Sequence, residues 1–376
     1  MIDKLLLFPY WAALKLRHFM FDCGLRKSRK TQVPSICVGN ITVGGTGKTP
    51  HTEMIIRTLL EDTDWSEKNI AVLSRGYKRK TRGFQQVAFN GTAAEYGDEP
   101  LQIKKKFPIV TVAVDKSRNE GCEFLCNPER LQTSKKARRC KDKNVPKADL
   151  IILDDAFQHR SVKASASIVL VDYNRPIFKD HLLPMGRLRD LPERIDAADI
   201  VIVSKCPGDL NAWEKGQWAE ALGIHMYDAS ECSGTRKDGK KQYLFFTKIQ
   251  YDTPAAIFEE GDQRYVYSKR LILFSGIAND APLKAYLSSD YKIVRHIQFP
   301  DHHKFVWADV KSIEDAVADY PTAVAMTTEK DCQRMRDCKN LSDNLKLKLF
   351  YTPIKSEFLS YEDKQKFTAV LMSFLK

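Results

Sequence analysis

The stretch that decides the fold reads Ser35-Ile36-Cys37-Val38-Gly39-Asn40-Ile41-Thr42-Val43-Gly44-Gly45-Thr46-Gly47-Lys48-Thr49-Pro50. An apolar run leads into a glycine-rich bend, after which apolar residues recur at helical spacing. A strand, a glycine loop and a helix in this order predict a phosphate-binding loop, because the loop amides and the helix N-terminus converge on an anion. In such a loop Lys48 reaches the β- and γ-phosphates and the Thr49 hydroxyl binds Mg²⁺.

The loop departs from the usual P-loop pattern at one position. That pattern has a glycine five residues before Gly47, where this chain has Thr42. The alternative interpretation is an ordinary glycine turn with a surface lysine, but the buried strand before it and the helix after it favour phosphate binding. The predicted nucleotide-binding residues are Thr42, Val43, Gly44, Gly45, Thr46, Gly47, Lys48 and Thr49.

A second strong signal is the apolar run Leu150-Ile151-Ile152-Leu153, which ends in Asp154-Asp155. A buried strand that ends in aspartates places a carboxylate beside the metal of a P-loop. Further buried strands, predicted at residues 70–73, 109–114, 168–171 and 200–203, alternate with helical segments. This alternation predicts an α/β fold with a doubly wound, mostly parallel sheet.

The chain has 376 residues, which is too long for one modest core, so we expect two domains. A second α/β pattern begins at residue 271, after a polar stretch at 207–270 that we expect to act as a hinge. We therefore predict a P-loop domain over 1–240 and a smaller α/β domain over 241–376. Residues 127–147 are rich in lysine and arginine without apolar periodicity, which predicts a surface insertion.

The composition is that of a globular protein, with 43% hydrophobic and 29% charged residues. A net charge of +12 is compatible with nucleic acid, an anionic membrane or a phosphorylated substrate. The lysines cluster in the insertion and near the N-terminus without stacking aromatic residues at a recognisable spacing, so we expect no nucleic-acid partner. Nine scattered cysteines are not a disulfide framework, and we expect them to be reduced in a cytoplasmic protein.

The N-terminus is rich in leucine and aromatic residues but does not reach the ~20 apolar residues of a membrane-spanning helix. The basic run Arg26-Lys27-Ser28-Arg29-Lys30 follows it. This pattern suits a helix that lies in a membrane interface with its basic residues on anionic headgroups. A first helix that packs on the core and ends in a solvated basic turn fits the sequence equally well.

Two shorter motifs lie between the predicted strands at 70–73 and 109–114. Arg75 comes directly after the strand at 70–73, where ligands gather in an open α/β sheet, although a solvated charge run is the alternative. The second motif, Gly97-Asp98-Glu99-Pro100, places two carboxylates at the start of a helix. Acidic residues in a first helical turn are common caps, so this motif alone predicts a cap.

In their order along the chain, these motifs and several later ones resemble those of the tetraacyldisaccharide 4'-kinases, the inner-membrane-associated lipid kinases of lipid A biosynthesis. The later motifs are Phe157-Gln158-His159, Gly186-Arg187-Leu188-Arg189, Ser275-Gly276-Ile277-Ala278-Asn279, Asp301-His302-His303 and Thr328-Glu329-Lys330-Asp331. The resemblance implies ATP-dependent phosphorylation of the 4'-hydroxyl of a tetraacyldisaccharide 1-phosphate, giving lipid IVA. It also implies a peripheral position on the cytoplasmic face of the inner membrane.

The resemblance gives the acidic motif a second interpretation, in which Asp98 is catalytic and is supported by His302. The chemistry agrees, because a sugar hydroxyl that attacks a γ-phosphoryl group needs an acceptor for its proton. The residues that the resemblance places at the metal are Asp154, Asp155 and Asp190. Candidate substrate contacts are Arg75, Glu99 and His159.

Two residues depart from the family pattern. Ala156 replaces a glycine, and Asp190 replaces a glutamate whose longer side chain reaches further. We therefore expect Asp190 to reach Mg²⁺ only through water.

The main rival interpretation is a P-loop ATPase switch that positions partners on a membrane or on DNA. Such switches carry a lysine directly before the Gly-Gly pair, where this chain has Val43. This missing lysine, together with His302 and the Asp98-Glu99 pair, favours the kinase.

Overall fold

The structure is a computed structural model that describes residues 2–301 and 303–376, with side chains from residue 7 onward. Met1 and His302 lie outside the described residues. The described chain forms one sheet of eleven strands, one of five and one of two.

The strands are β1 (Arg29–Lys30), β2 (Ser35–Asn40), β3 (Ile70–Ser74), β4 (Gln85–Gln86), β5 (Thr111–Val114), β6 (Leu150–Asp154), β7 (Val162–Lys163), β8 (Ala166–Asp172), β9 (Ile200–Ser204), β10 (His225–Asp228), β11 (Ser233–Thr235), β12 (Lys241–Tyr251), β13 (Ala255–Ala256), β14 (Arg270–Ser275), β15 (Lys292–Gln298), β16 (Val324–Thr328), β17 (Leu349–Thr352) and β18 (Ile354–Phe358).

The α-helices are α1 (Ile2–Asp22), α2 (Lys48–Leu60), α3 (Ala93–Tyr96), α4 (Asp98–Lys106), α5 (Arg118–Cys126), α6 (Arg130–Thr133), α7 (Ala212–Ala221), α8 (Ala281–Asp290), α9 (Trp307–Asp319), α10 (Glu329–Arg336), α11 (Asp343–Lys348) and α12 (Tyr361–Leu375). Short 3₁₀ helices cover Lys135–Ala137, Ile177–Lys179, Pro192–Ala197 and Gln263–Ser268.

The large sheet has the order β10-β11-β12-β9-β8-β2-β6-β3-β5-β4, and β18 pairs with β12. All neighbours from β12 to β5 in this order run parallel. The strand before the glycine loop, β2, lies at the centre between β8 and β6. The predicted mostly parallel sheet is confirmed, and the carboxyl ends of its strands meet at one edge.

Apolar side chains cover both faces of the large sheet because successive strand residues point to opposite faces. On one face, Ile36 and Val38 pack with α2, α4 and α12; on the other, Cys37 packs with α5. The sheet is therefore doubly wound, as the alternation of strands and helices predicts.

The smaller sheet has the order β13-β17-β16-β14-β15 and lies between residues 255 and 352. Its core packs under α9, α10 and α11 on one face and under α8 on the other. Helices therefore cover both of its faces as well.

Strand pairing crosses the predicted boundary at 240/241, and the division into two domains with a hinge at 207–270 stays a prediction. The first part of β12 pairs with β9 in the large sheet, and its last residues, Thr247 to Tyr251, pair with β18. β18 belongs to the large sheet, and Phe367 and Leu371 of α12, which follows it, are buried there as well. β12, which begins just after the predicted boundary, therefore lies wholly in the large sheet.

Most side chains of residues 127–147 are exposed, as expected of a surface segment, but four others are buried and anchor it. Leu131, Ala137, Cys140 and Val145 are buried in the core of the large sheet. Their spacing follows no helical or strand period because the segment folds as two short helices and irregular chain, which hid its buried face from sequence analysis.

The predicted N-terminal helix is α1. Leu14 and His18 face the protein, whereas Phe8, Trp11 and Phe19 are 63%, 41% and 61% exposed. Across the residues that the structure covers, no helix combines the length and the apolar character that crossing a bilayer requires.

Candidate active site

The glycine loop after β2 has the backbone shape that its residues allow. Gly44 and Gly47 have φ angles of +105° and +84°, which favour glycine, and Gly47 forms the N-cap of α2. The side-chain amide of Asn40 donates hydrogen bonds from Nδ2 to the hydroxyls of Thr46 (2.8 Å) and Thr42 (3.3 Å). Thr42, in the place of the expected glycine, thus helps to fix the loop.

Neighbouring segments hold the outer side of the loop. The Val43 amide donates to the Arg187 carbonyl (2.7 Å), and the Ser204 hydroxyl donates to the Thr46 carbonyl (2.9 Å). The loop is therefore anchored to neighbouring segments from both sides.

Lys48 lies opposite Asp155, with 3.7 Å between Nζ and Oδ1. Arg189 donates to both carboxylate oxygens of Asp155 and to the Asn40 side-chain oxygen. Burial alone raises the pKa of Asp155, but Lys48 and Arg189 outweigh this effect and bring the value to about 2. Asp155 is thus a permanent anion that fixes the P-loop lysine.

Asp154, the neighbouring residue, is almost fully buried and accepts hydrogen bonds from the hydroxyls of Ser74 (3.1 Å) and Thr52 (3.4 Å). Burial and then the nearby Glu99 and Asp155 carboxylates raise its pKa to about 6. The two predicted metal-side aspartates therefore have opposite pKa shifts.

Asp98 and Glu99 open α4 and face α10 of the smaller sheet. Arg334 lies 2.7 Å from Asp98 Oδ2, and Lys330 lies 2.6 Å from Glu99 Oε1. The charge of Lys330 lowers the pKa of Glu99, and Lys48 of the P-loop acts on Glu99 in the same direction. The start of α4 and the P-loop therefore share one electrostatic environment.

His302, the predicted partner of Asp98, lies outside the described residues, so this pairing stays a prediction. The adjacent His303 stacks on Phe299 and lies 2.7 Å from Asp309.

Asp190 is fully buried against α1. Its Oδ1 lies 2.6 Å from the His18 imidazole and accepts the Leu191 amide. Its Oδ2 is buried and hydrogen-bonds to no group among the described residues. The structure thus places this predicted metal-side residue at the junction with the N-terminal helix, and its link to a metal stays a prediction.

The predicted substrate residues Arg75 and His159 lie near each other. Arg75 is exposed, and His159 is partly buried. Burial, followed by the charges of Arg118 and Arg75, lowers the pKa of His159 to about 4, so its imidazole is neutral at pH 7. Arg79 of the same basic loop donates to the Gly83 carbonyl (2.6 Å) and is held within its own loop.

Sequence analysis missed two arginines at the site. Arg189, the last residue of the Gly186-Arg187-Leu188-Arg189 motif, binds Asp155. Arg118 is 2% exposed and donates to the main-chain carbonyls of Asp154 (3.0 Å) and Asp155 (3.4 Å). Asp155 has a φ of +48°, so Arg118 helps to hold an unfavourable backbone shape. The signal that could have found Arg118 is its position at the start of α5, in the helix that follows the buried strand β5.

A left-handed glycine loop at a helix N-terminus, with its lysine against a strand-end aspartate, defines a P-loop nucleotide-binding protein. The family model of LpxK, tetraacyldisaccharide-1-P 4'-kinase, matches residues 4–376. The chain belongs to this family, and the resemblance seen in its motifs is confirmed.

Relatives that carry the family's name agree with this assignment. The chain is 38% identical over 362 residues to the tetraacyldisaccharide 4'-kinase of Phocaeicola vulgatus, covering 95% of this chain and 89% of that one. It is 36% identical over 376 residues to the kinase of Flavobacterium johnsoniae, covering 99% and 97%. LpxK from Aquifex aeolicus, solved in complex with ATP, is similar in fold, with a TM-score of 0.68, 23% identity and full coverage of both chains.

Proposed function

We propose that this protein transfers the γ-phosphoryl group of ATP to the 4'-hydroxyl of a tetraacyldisaccharide 1-phosphate. One observation carries the proposal: the P-loop lysine, the strand-end aspartates and the carboxylates that open α4 act on one another at a single edge of the large sheet. This edge is where ligands of open α/β sheets bind. The relatives named above carry the same activity in their names.

In this function the P-loop binds the nucleotide. The loop amides and the N-terminus of α2 would bind the phosphates, and Lys48 would stabilise the charge that builds up on the transferred group. Arg189 and Asp155 hold Lys48 in place for this role.

The residues at the site fit a magnesium ion. Mg²⁺ in kinases takes one or two carboxylates together with phosphate and water oxygens, and no described group of three acidic, histidine or cysteine side chains forms a complete metal cage. Asp154 and the buried Thr49 hydroxyl would hold the ion, with Asp155 beside them. The ion would neutralise charge on the β- and γ-phosphates. Burial and the neighbouring carboxylates raise the pKa of Asp154, and a bound cation would favour its ionised form.

Asp98, supported by His302, is our candidate to accept the proton of the attacking 4'-hydroxyl. The 4'-hydroxyl must lose its proton as it attacks, and a carboxylate supported by an imidazole provides an acceptor of suitable chemistry. Glu99 and His159 remain our candidates for contacts to the sugar, and Arg75 for a contact to the 1-phosphate. Arg75 is the exposed cation directly after β3, at the ligand edge of the sheet.

The N-terminal helix suggests how a lipid reaches this site. The outward face of α1 carries Phe8, Trp11, Leu16 and Phe19, and the basic run at 26–30 follows it. An exposed aromatic face next to basic residues suits a helix that lies in the interface of an anionic bilayer. We therefore propose a peripheral position on the cytoplasmic face of the inner membrane.

Label transfer from ATP tests the function. The protein is incubated with γ-³²P-ATP, Mg²⁺ and a tetraacyldisaccharide 1-phosphate in detergent micelles, and label is followed in the lipid and as free phosphate. We expect label in the lipid, and none with a disaccharide that lacks the 4'-hydroxyl. Release of free phosphate without lipid labelling would support the ATPase switch and contradict the kinase.

A further inference from the structure

Two motifs of the smaller sheet have no role in the function as described so far. They are the turn after β14, Ser275-Gly276-Ile277-Ala278-Asn279, and the start of α10, Thr328-Glu329-Lys330-Asp331. The structure joins both to a single side chain, that of Arg334. This side chain is 7% exposed and lies between the smaller sheet and α4.

Arg334 binds a carboxylate on each side of this boundary. Toward the large sheet, its Nε and Nη2 lie 2.8 Å and 2.7 Å from Asp98 Oδ2. Toward the smaller sheet, its Nη1 donates to Asp331 Oδ1 (2.7 Å) and to the Gly276 carbonyl (3.1 Å). One planar guanidinium thus connects Asp98 to the smaller sheet.

The smaller sheet holds Arg334 in turn through the two motifs. Asp331 Oδ2 accepts the Gly276 amide (2.9 Å) and the Thr328 hydroxyl (2.7 Å). A Cβ atom on Gly276 would lie 3.1 Å from Asp331 Oδ1 and 3.5 Å from Arg334 Nη1, so a larger residue would press on this network. The apolar side of α10, with Cys332 and Met335, is fully buried in the core of the smaller sheet.

We infer that Arg334 is a positioning residue for the phosphoryl transfer: it holds the Asp98 carboxylate in the orientation that the reaction uses. The inference rests on the proposed function, since it gives Asp98 a part in catalysis. A lysine cannot replace Arg334 in this role, because only the guanidinium fork can hold two carboxylates in fixed directions at once.

The alternative role for Arg334 is to hold the smaller sheet against α4 without acting on catalysis. Other ion pairs at this boundary already do so. Lys330 binds Glu99 at 2.6 Å, and Lys106 of α4 binds Glu329 at 2.7 Å. Arg334 differs because its partner is the predicted catalytic carboxylate. The catalytic orientation of Asp98 would therefore be complete only when the smaller sheet is docked on α4.

Arg334→Lys tests the inference, since it keeps the charge between Asp98 and Asp331 and loses the fork. We expect kcat for lipid phosphorylation to fall about 10²-fold, the usual effect of a reacting group displaced by about 1 Å. The KM for ATP and the thermal unfolding midpoint should stay near their wild-type values. The matched control is Arg336→Lys on the same helix, because Arg336 binds the Ile257 carbonyl and Gln333; we expect wild-type kcat for it.

A double-mutant cycle separates positioning from a structural role. Arg334→Lys should cost nothing further in the Asp98→Asn background, since the carboxylate that it orients is gone. A wild-type kcat for Arg334→Lys, or an equal loss with and without the Asp98 carboxylate, would overturn the inference and leave the proposed function intact. A wild-type protein that does not label the lipid would contradict the proposed function, and the inference with it.

Discussion

The site holds two pairs of adjacent acidic residues, Asp154-Asp155 and Asp98-Glu99, and they are fixed in different ways. The first pair ends a central strand, and hydroxyls and cations of the large sheet hold both of its members. The second pair opens a helix, and cations from the smaller sheet hold it.

The difference indicates a division of labour. The strand-end pair is complete within the large sheet, which suits a site that binds nucleotide and metal at all times. The helix-start pair depends on two sheets meeting, which suits a group that must act only when the acceptor is enclosed.

The helix-start pair should have the larger effect on turnover. Asp98→Asn is expected to lower kcat by about 10²–10⁴-fold, because it removes the proposed proton acceptor or its support. Steady-state lipid phosphorylation measures the loss. Asp337→Asn is the control, because Asp337 also lies near α4 but accepts the Ala93 amide. Full turnover by Asp98→Asn would remove this pair from catalysis.

The strand-end pair is tested through Lys48, which lies against Asp155. Lys48→Met should lower kcat by about 10²–10³-fold, the usual cost of losing one group that stabilises transition-state charge. The same assay measures it, with Lys68→Met as control because Lys68 lies beyond the far end of α2, over the Trp65 ring. A loss confined to the KM for the lipid would show that Lys48 does not act on the phosphates.

His51 lets the anchoring of the P-loop within the large sheet be tested by pH. Its buried ring contacts the Gly47 carbonyl (2.7 Å), Thr247 of β12 (2.9 Å) and Ser356 of β18 (3.2 Å). Burial lowers its pKa to about 4, whereas the unfolded chain protonates it near 6.5. The folded state should therefore keep its full stability above about pH 6.5 and lose up to about 3 kcal/mol as the pH falls to 4.

Urea unfolding without nucleotide, at several pH values, measures this effect of His51. The control is His51→Asn, whose free energy of unfolding should fall less steeply between pH 6.5 and 4. Parallel pH curves for the two proteins would contradict a neutral, buried His51.

The smallest expected effect is that of Arg75, the exposed arginine directly after β3, on the KM for the lipid. Arg75→Ala should raise the KM for the lipid about tenfold, since a hydrogen bond to a charged group contributes roughly 1.5–3 kcal/mol, while the KM for ATP stays unchanged. Arg82→Ala, an exposed arginine on the same loop, is the control. An unchanged lipid KM for Arg75→Ala would exclude it from the 1-phosphate contact.

The two pairs also mark what sequence could predict. The glycine loop and Asp154-Asp155 are contiguous with the strands that position them, so their pattern alone predicted strand, loop and helix. Asp98-Glu99 looked like a helix cap, because its partners in α10 lie more than 200 residues away. Asp190 and His18 meet across 172 residues and had no local signal. Such contacts depend on tertiary packing, which no short pattern encodes.

The central claim is that the P-loop and the start of α4 act on one triphosphate. A crystal structure with Mg²⁺ and a non-hydrolysable ATP analogue tests it most directly. We predict the phosphates on the loop amides and Lys48, with the γ-phosphate facing the Asp98 carboxylate across a space that fits one hydroxyl. A γ-phosphate that points away from α4, with Asp98 screened from it by the smaller sheet, would contradict the account.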